Sequence, residues 1–187
     1  MTDPKAPHKD FAQRAQAISL LLLDVDGVLT DGNLYFTETG DELKAFCTLD
    51  GLGIKLLRRS GIEVGIISGR KTDLVARRAR SLGLELVIQG REDKWDALSE
   101  WREQHPVPLN QIAFIGDDWP DLTIMTRVGL ALTVANAHPA VAERSHWQSE
   151  LRGGQGAVRA ACDALLKARG DYERLLADYL APDQEAR

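Results

Sequence analysis

The segment that most constrains the fold of this chain is residues 20–32, LLLLDVDGVLTDG. Its four leucines lead directly into Asp24 and Asp26, and a short apolar run that ends in acidic residues and glycine predicts a strand buried on both faces. Because the two aspartates are two residues apart, strand geometry would place their side chains on one face. They would lie at the carboxyl end of the strand, where open α/β sheets bind ligands. Two carboxylates this close repel unless a cation or a proton separates them, which indicates a divalent metal, although a simple Asp-Gly turn stays open as an alternative.

Polar residues also follow three later apolar runs. Carboxyl ends of parallel strands meet at one edge of a sheet, and we therefore expect these residues to lie near Asp24 and Asp26. Carboxylates with water and phosphate oxygens are the ligands that Mg²⁺ prefers, and with neither His nor Cys near these strand ends zinc is not favoured. The residues are Ser68 after the run at 63–67, Lys94 in the first turn of the helix after the run at 84–88, and Asp117, Asp118 and Asp121 after the run at 111–115.

The alternation of strands and helices indicates an α/β fold, a doubly wound, Rossmann-like parallel sheet with helices on both faces. Residues 32–48 alternate about Gly40-Asp41 and predict a small β-hairpin flap over the same edge. The intervals between the polar strand ends are too short for a separate cap domain. We predict a single domain over residues 1–187, with residues 1–10 flexible and a tail at 171–187. The predicted strands are 20–25, 63–67, 84–88, 111–115 and 128–134. The predicted helices are 11–17, 52–59, 73–81, one that starts within residues 90–94 and reaches about residue 104, 139–144, 157–169 and 171–180, with a flexible glycine loop at 152–156.

Composition excludes several classes of protein. A net charge of −5 gives no nucleic-acid footprint, and no apolar run is long enough to span a bilayer. Cys47 and Cys162 have no metal-ligand spacing, and without a secretory leader a reducing compartment is favoured. We expect a cytoplasmic protein.

The strand-end motifs DVDGVLTDG, ISGR, Lys94 and GDDWPD resemble the four signatures of the haloacid dehalogenase superfamily of phosphohydrolases. The resemblance implies that Asp24 is the nucleophile, which becomes an aspartyl phosphate, and that Asp26 is the general acid and base. Ser68 and Lys94 would hold the phosphoryl group. Mg²⁺ would be bound by Asp24, Asp117 and the backbone carbonyl of Asp26, while Asp118 and Asp121 would fix the loop.

A finer resemblance is to the capless phosphatases that act on 3-deoxy-D-manno-octulosonate 8-phosphate in lipopolysaccharide precursor synthesis. The segments FCTLDGLGIK, IISGRKTDLVARRA, QGREDK, VANAHP and GGQGAVR carry it. It implies release of the free sugar acid and phosphate by a homotetramer, in which the hairpin packs on a neighbouring subunit and the tail can cover an adjacent site. The substrate contacts that it implies are Asp26, Cys47, Thr48, Leu49, Asp50, Gly51, Lys55, Arg70, Arg78 and Lys94.

Two positions depart from that family. Many members have Arg at the position of Leu49, and Arg or Lys at the position of Gln155. Each departure removes a cation that would meet the substrate carboxylate, which leaves a nine-carbon keto sugar acid 9-phosphate open as the substrate. Two non-catalytic alternatives also remain, a domain that serves only in assembly and a signalling receiver domain. In a receiver, however, the acidic pair and the phospho-acceptor lie on different strands, whereas here one strand carries Asp24 and Asp26.

Overall fold

The computed structural model describes residues 9–181, and residues 1–8 and 182–187 lie outside it together with the predictions made for them. Within this part the chain alternates between strands and helices. The strands are β1 (Leu20–Leu23), β2 (Tyr35–Phe36), β3 (Glu42–Leu43), β4 (Glu63–Ser68), β5 (Val87–Gln89), β6 (Ile112–Gly116), β7 (Leu130–Thr133) and β8 (Trp147–Gln148). The helices are α1 (Phe11–Ala17), α2 (Thr48–Arg59), α3 (Asp73–Leu82), α4 (Lys94–Gln104), α5 (Trp119–Met125), α6 (Pro139–Arg144), α7 (Ala157–Arg169) and α8 (Tyr172–Leu180), with a 3₁₀ turn at Leu109–Gln111.

Six strands form one parallel sheet in the order β5-β4-β1-β6-β7-β8. The central strand β1 pairs with β4 and β6, and all four of its leucines are buried. Leu21 and Leu23 pack in a core with α1, α2, α3, α7 and α8, whereas Leu20 and Leu22 face a second core formed with α4, α5 and α6. The leucines alternate between the two cores because successive strand side chains point to opposite faces. The predicted doubly wound fold is confirmed.

Several predicted boundaries were wrong. β1 ends at Leu23, β5 begins at Val87, and α2 begins at Thr48 rather than at residue 52. The predicted helix begins after Gly51, but tertiary packing outweighs the low helix propensity of glycine. A Cβ at position 53 would lie 3.1 Å from the Arg159 Cα. Because Gly53 has no side chain, α2 can approach α7 closely.

Two short elements were not predicted. Helix α5 begins with a capping box in which Asp118 and Asp121 take the places usually held by Ser or Thr and Glu. Strand β8 pairs only Trp147 and Gln148 with β7, which is too short a run to show an alternating pattern.

The predicted hairpin is present, although its strands β2 and β3 are only two residues long. Most of its apolar side chains are exposed, with Phe36 at 62%. The glycine loop, which was expected to be flexible, is instead packed on the loop after β1. Gly153 donates its N–H to Asn136 Oδ1 (2.9 Å) and Gly154 donates to the Val28 carbonyl (3.0 Å). Across residues 9–181, none of the helices has the length and apolarity needed to cross a membrane.

Candidate active site

The carboxyl ends of β1, β4 and β6 open into a cavity of about 550 Å³. The structure brings to this one cavity every side chain that was predicted to do chemistry or to bind metal. The predicted substrate contact Arg70 is there as well. The lining residues are Asp24, Asp26, Ser68, Gly69, Arg70, Glu92, Lys94, Asp117, Asp118, Pro120 and Asp121.

Lys94 lies at the base of the cavity and is only 4% exposed. Its Nζ donates to Asp24 Oδ1 and to Asp121 Oδ1, each at 2.6 Å. Burial alone would lower the pKa of Lys94, but the charges of Asp24 and Asp121 outweigh it and the pKa is raised. Lys94 is therefore a permanent positive charge beside the predicted nucleophile. Losing either carboxylate would leave a buried charge poorly compensated.

Asp121 is held by partners on both of its carboxylate oxygens. While Oδ1 accepts from Lys94, Oδ2 accepts from the backbone N–H groups of Asp117 (2.9 Å) and Asp118 (3.2 Å). The approach is close because residue 116 is glycine, since a Cβ there would lie 2.5 Å from the Asp121 Cβ. Asp121 therefore fixes the loop after β6, as the resemblance implied.

The donor set of the cavity fits a magnesium ion. Carboxylate oxygens of Asp24, Asp117 and Asp121 lie within 4.8 Å of one another. Asp121 is fully engaged, whereas in the part of the chain that the structure describes the Asp117 carboxylate has no hydrogen-bond partner. The Asp117 carboxylate lies against Gly27. Residue 27 must be glycine because a Cβ there would be 2.1 Å from Asp117 Oδ2, and its φ of +99° is also one that other residues rarely adopt. Oxygen-only ligands with two carboxylates suit Mg²⁺.

Electrostatics also favour a cation at this place. Burial, followed by the charge of Asp121, raises the pKa of Asp24 to about 7. Burial, followed by the charge of Asp24, raises the pKa of Asp117 to about 8. In the metal-free protein, ionising both groups is therefore costly, and a divalent cation between them would remove that cost.

Two further predicted residues differ in their surroundings. Ser68 ends β4, is buried and lines the cavity. Asp26 is partly exposed and forms an ion pair with Lys44, which projects from the hairpin. Lys44 was not predicted as a site residue. The available signal was that Glu42 and Lys44 are charged residues with the spacing of one strand face.

The predicted sugar-acid contacts at the start of α2 do not line the cavity. The Asp50 carboxylate accepts the backbone N–H of Arg159 (2.8 Å) at the start of α7, and burial raises its pKa despite this bond. Arg78 donates Nη2 to the Cys47 carbonyl (3.1 Å) and lies over the Phe46 ring. Within one chain, Asp50 and Arg78 are therefore engaged in holding the fold. This second set consists of Cys47, Thr48, Leu49, Asp50, Gly51, Lys55 and Arg78.

Three features of the site occur together at one edge of a parallel sheet: an Asp-x-Asp pair after the central strand, a buried lysine and a second acidic loop. This combination defines a haloacid dehalogenase-like hydrolase. A family model of that description matches residues 84–157. KdsC, the 3-deoxy-D-manno-octulosonate 8-phosphate phosphatase of Salmonella typhimurium, is 44% identical over 170 residues, which cover 91% of this chain and 89% of that protein. KdsC of Escherichia coli K12 is 45% identical over 164 residues, which cover 88% of this chain and 87% of that protein. The chain belongs to the 3-deoxy-D-manno-octulosonate 8-phosphate phosphatase family.

Solved structures agree with this assignment. A probable YrbI family phosphatase from Pseudomonas syringae has a TM-score of 0.91 at 49% identity, covering 93% of this chain and 99% of that one. The 3-deoxy-D-manno-octulosonate 8-phosphate phosphatase of Moraxella catarrhalis, solved with magnesium, phosphate and the sugar acid KDO, has a TM-score of 0.89 at 38% identity. It covers 92% of this chain and 99% of that one. The predicted superfamily and its finer resemblance are confirmed.

Proposed function

We propose that this protein is a magnesium-dependent phosphatase that hydrolyses 3-deoxy-D-manno-octulosonate 8-phosphate to the free sugar acid and phosphate, a step in lipopolysaccharide precursor synthesis. The observation that carries the reaction type is the convergence of Asp24, Asp26, Ser68, Lys94 and Asp117 on one cavity. The substrate is proposed because the relatives that cover most of this chain are phosphatases of that compound.

The geometry suggests how the chain's own groups divide the work. A carboxylate oxygen of Asp24 attacks phosphorus, the bond from phosphorus to the sugar oxygen breaks, and Asp26 gives a proton to the departing oxygen. Asp26 then takes a proton from the water that attacks the aspartyl phosphate, which releases phosphate and restores Asp24. Lys94, paired with Asp24 at 2.6 Å, and Ser68 are placed to hold the phosphoryl oxygens.

Asp24 and Asp117, with the backbone carbonyl of Asp26, would hold the magnesium ion. When bound, the ion would neutralise charge on the nucleophile and on the phosphoryl group. The Asp117 carboxylate has its place set by Gly27 and is available for this role.

We also propose a single-domain cytoplasmic protein that acts as a homotetramer, with the hairpin and the tail in contact with neighbouring subunits. The support is the exposed apolar surface of the hairpin, which includes Tyr35, Phe36 and Leu43, and the exposed Tyr179 of α8. Such clustered apolar surface is typical of protein interfaces. Sedimentation should give a tetramer for the wild type and a smaller species for Phe36→Asp. A wild-type monomer would contradict this assembly.

The test of the substrate is phosphate release with Mg²⁺ from 3-deoxy-D-manno-octulosonate 8-phosphate, nine-carbon keto sugar acid 9-phosphates and hexose phosphates. We expect the highest kcat/KM for the eight-carbon acid, and no turnover after addition of EDTA. A preference for a nine-carbon acid would favour the second candidate, which rests on Leu49 and Gln155 standing where cations are expected. A preference for hexose phosphates would contradict both.

A further inference from the structure

The hairpin turns one charged face toward the catalytic cavity. Glu42 and Lys44 lie two residues apart and share this face, whereas Leu43 between them is exposed. The Lys44 side chain is only 2% exposed, although the hairpin around it is mostly open to solvent. Lysine is seldom buried without a partner or a role.

The partner of Lys44 is the proposed acid and base of the reaction. Lys44 Nζ forms an ion pair with Asp26 Oδ1, and the Asp26 side chain is 22% exposed. Exposed ion pairs contribute little to stability, but a buried ammonium group restricts the geometry of the carboxylate that it holds.

A second contact fixes Lys44 itself. Glu42 Oε1 lies 3.4 Å from Lys44 Nζ and accepts from Arg70 Nη2 at 3.1 Å. Arg70 follows β4 and lines the cavity. The row Asp26–Lys44–Glu42–Arg70 therefore ties the hairpin to both sides of the cavity and gives Lys44 a defined position.

We propose that Lys44 is a positioning residue that holds the Asp26 carboxyl group in the orientation needed for proton transfer to the sugar oxygen. This inference rests on the proposed function of the cavity. Asp26 stands in the loop after β1, not in the strand, and proton transfer requires it within hydrogen-bond reach of the departing oxygen. A lysine delivered by the hairpin supplies a restraint that the loop backbone alone does not.

The proposal is tested by comparing leaving groups. A sugar alkoxide needs a proton as it departs, whereas p-nitrophenolate departs without one. Lys44→Met should therefore slow single-turnover release of the sugar acid by about 10- to 100-fold, the range expected when general acid catalysis is impaired, while release of p-nitrophenol from p-nitrophenyl phosphate slows by less than about threefold. Lys44→Arg, which keeps charge and reach, should recover most of the loss.

The control is Lys71→Met, because Lys71 is an exposed lysine directly after Arg70. Its two release rates should match those of the wild type. Equal slowing of both leaving groups by Lys44→Met would overturn the proposal, because it would mean that Lys44 acts on the phosphoryl group or on the fold. Unchanged rates for both leaving groups would overturn it as well.

A failure of the role of Lys44 is distinguishable from a failure of the proposed function and from a folding defect. If Lys44→Met does not fold, Lys44→Gln gives the same ratio of release rates. If the wild type does not hydrolyse the eight-carbon substrate, the proposed function fails. The ratio is then measured with whichever alkyl phosphate in the panel the wild type hydrolyses, and selective slowing of that substrate would still support Lys44 as a positioning residue.

Discussion

The base of the cavity and the start of α2 were both predicted to meet the substrate, but they are built differently. At the base, the carboxylates of Asp24 and Asp121 are buried and share the Nζ of Lys94. At the start of α2, Leu49 is 55% exposed, and the side chain of Arg78 is occupied by a backbone carbonyl of its own chain. The residues at the base of the cavity all come from one chain. The residues at the start of α2 do not line that cavity.

The difference separates chemistry from recognition. Charges that stabilise a phosphoryl group act strongly only where water is excluded and their positions are fixed in advance, which requires a core that one chain can build. Contacts with the rest of the sugar tolerate a surface location, and a neighbouring subunit can complete them there. Four substitutions or conditions test how far this separation holds.

The largest effect is expected from Asp24→Asn. The amide has the same shape but is not a nucleophile, and kcat should fall by at least about 10³-fold. Phosphate release with Mg²⁺ measures this, and circular dichroism checks that the fold is retained. A rate near that of the wild type would contradict the assignment of the chemistry to the base of the cavity.

Asp121→Asn should have the next largest effect, on stability. It weakens the buried pair with Lys94 and the bonds that hold the loop after β6, and we expect a loss of about 3–5 kcal/mol in the free energy of unfolding. Asp50→Asn, which weakens the hydrogen bonds that the Asp50 carboxylate accepts from backbone N–H groups at the start of α7, should cost about 1–2 kcal/mol. Urea unfolding of both variants gives the comparison. Equal losses would contradict the view that only the base of the cavity is a tightly coupled charge network.

The extent to which these regions could be predicted from the sequence follows the same division. Asp24, Ser68, Lys94 and Asp117 could be placed together because each comes directly after a strand or opens the next helix, and parallel strands end at one edge. The role of Lys44 could not, because it depends on how a hairpin with two-residue strands folds back across 18 positions of the chain to Asp26.

Tertiary packing also explains what the sequence did not indicate. Nothing local to Asp50 indicates that its carboxylate binds the start of α7, which is 109 residues away in sequence. Likewise, nothing local to Gly53 indicates that it serves the close contact of α2 with α7. Motif spacing predicts which residues meet at the ends of parallel strands. It does not predict which distant helix forms hydrogen bonds with a polar side chain.

A smaller effect is expected from pH in the metal-free protein. The folded pKa values of about 7 for Asp24 and about 8 for Asp117 lie above the ordinary value of an unfolded aspartate. The folded state therefore binds more protons than the unfolded state in this range, and stability falls as pH rises through it. With EDTA, Tm should fall by several degrees between about pH 6 and about pH 9, and added Mg²⁺ should raise Tm most at the higher pH.

Asp117→Asn is the control for this titration, because it removes one of the two raised groups and should flatten the dependence of Tm on pH. The measurement is a thermal melt with and without Mg²⁺ at each pH. A metal-free protein that is more stable at the higher pH would contradict the sign derived from the buried carboxylates.

The smallest effect should come from Leu49→Arg, which puts a cation back at the start of α2. If this surface contributes to recognition of the sugar acid, a charge-assisted hydrogen bond to the substrate carboxylate should lower KM for 3-deoxy-D-manno-octulosonate 8-phosphate by about three- to tenfold. Turnover of p-nitrophenyl phosphate, which has no carboxylate, should not change.

Leu52→Arg adds the same charge one turn further along α2, at a half-exposed position outside the predicted contacts, and should leave KM unaltered. A similar decrease in KM for both variants would indicate general attraction of an anionic substrate. It would contradict a specific role of the start of α2 in substrate recognition.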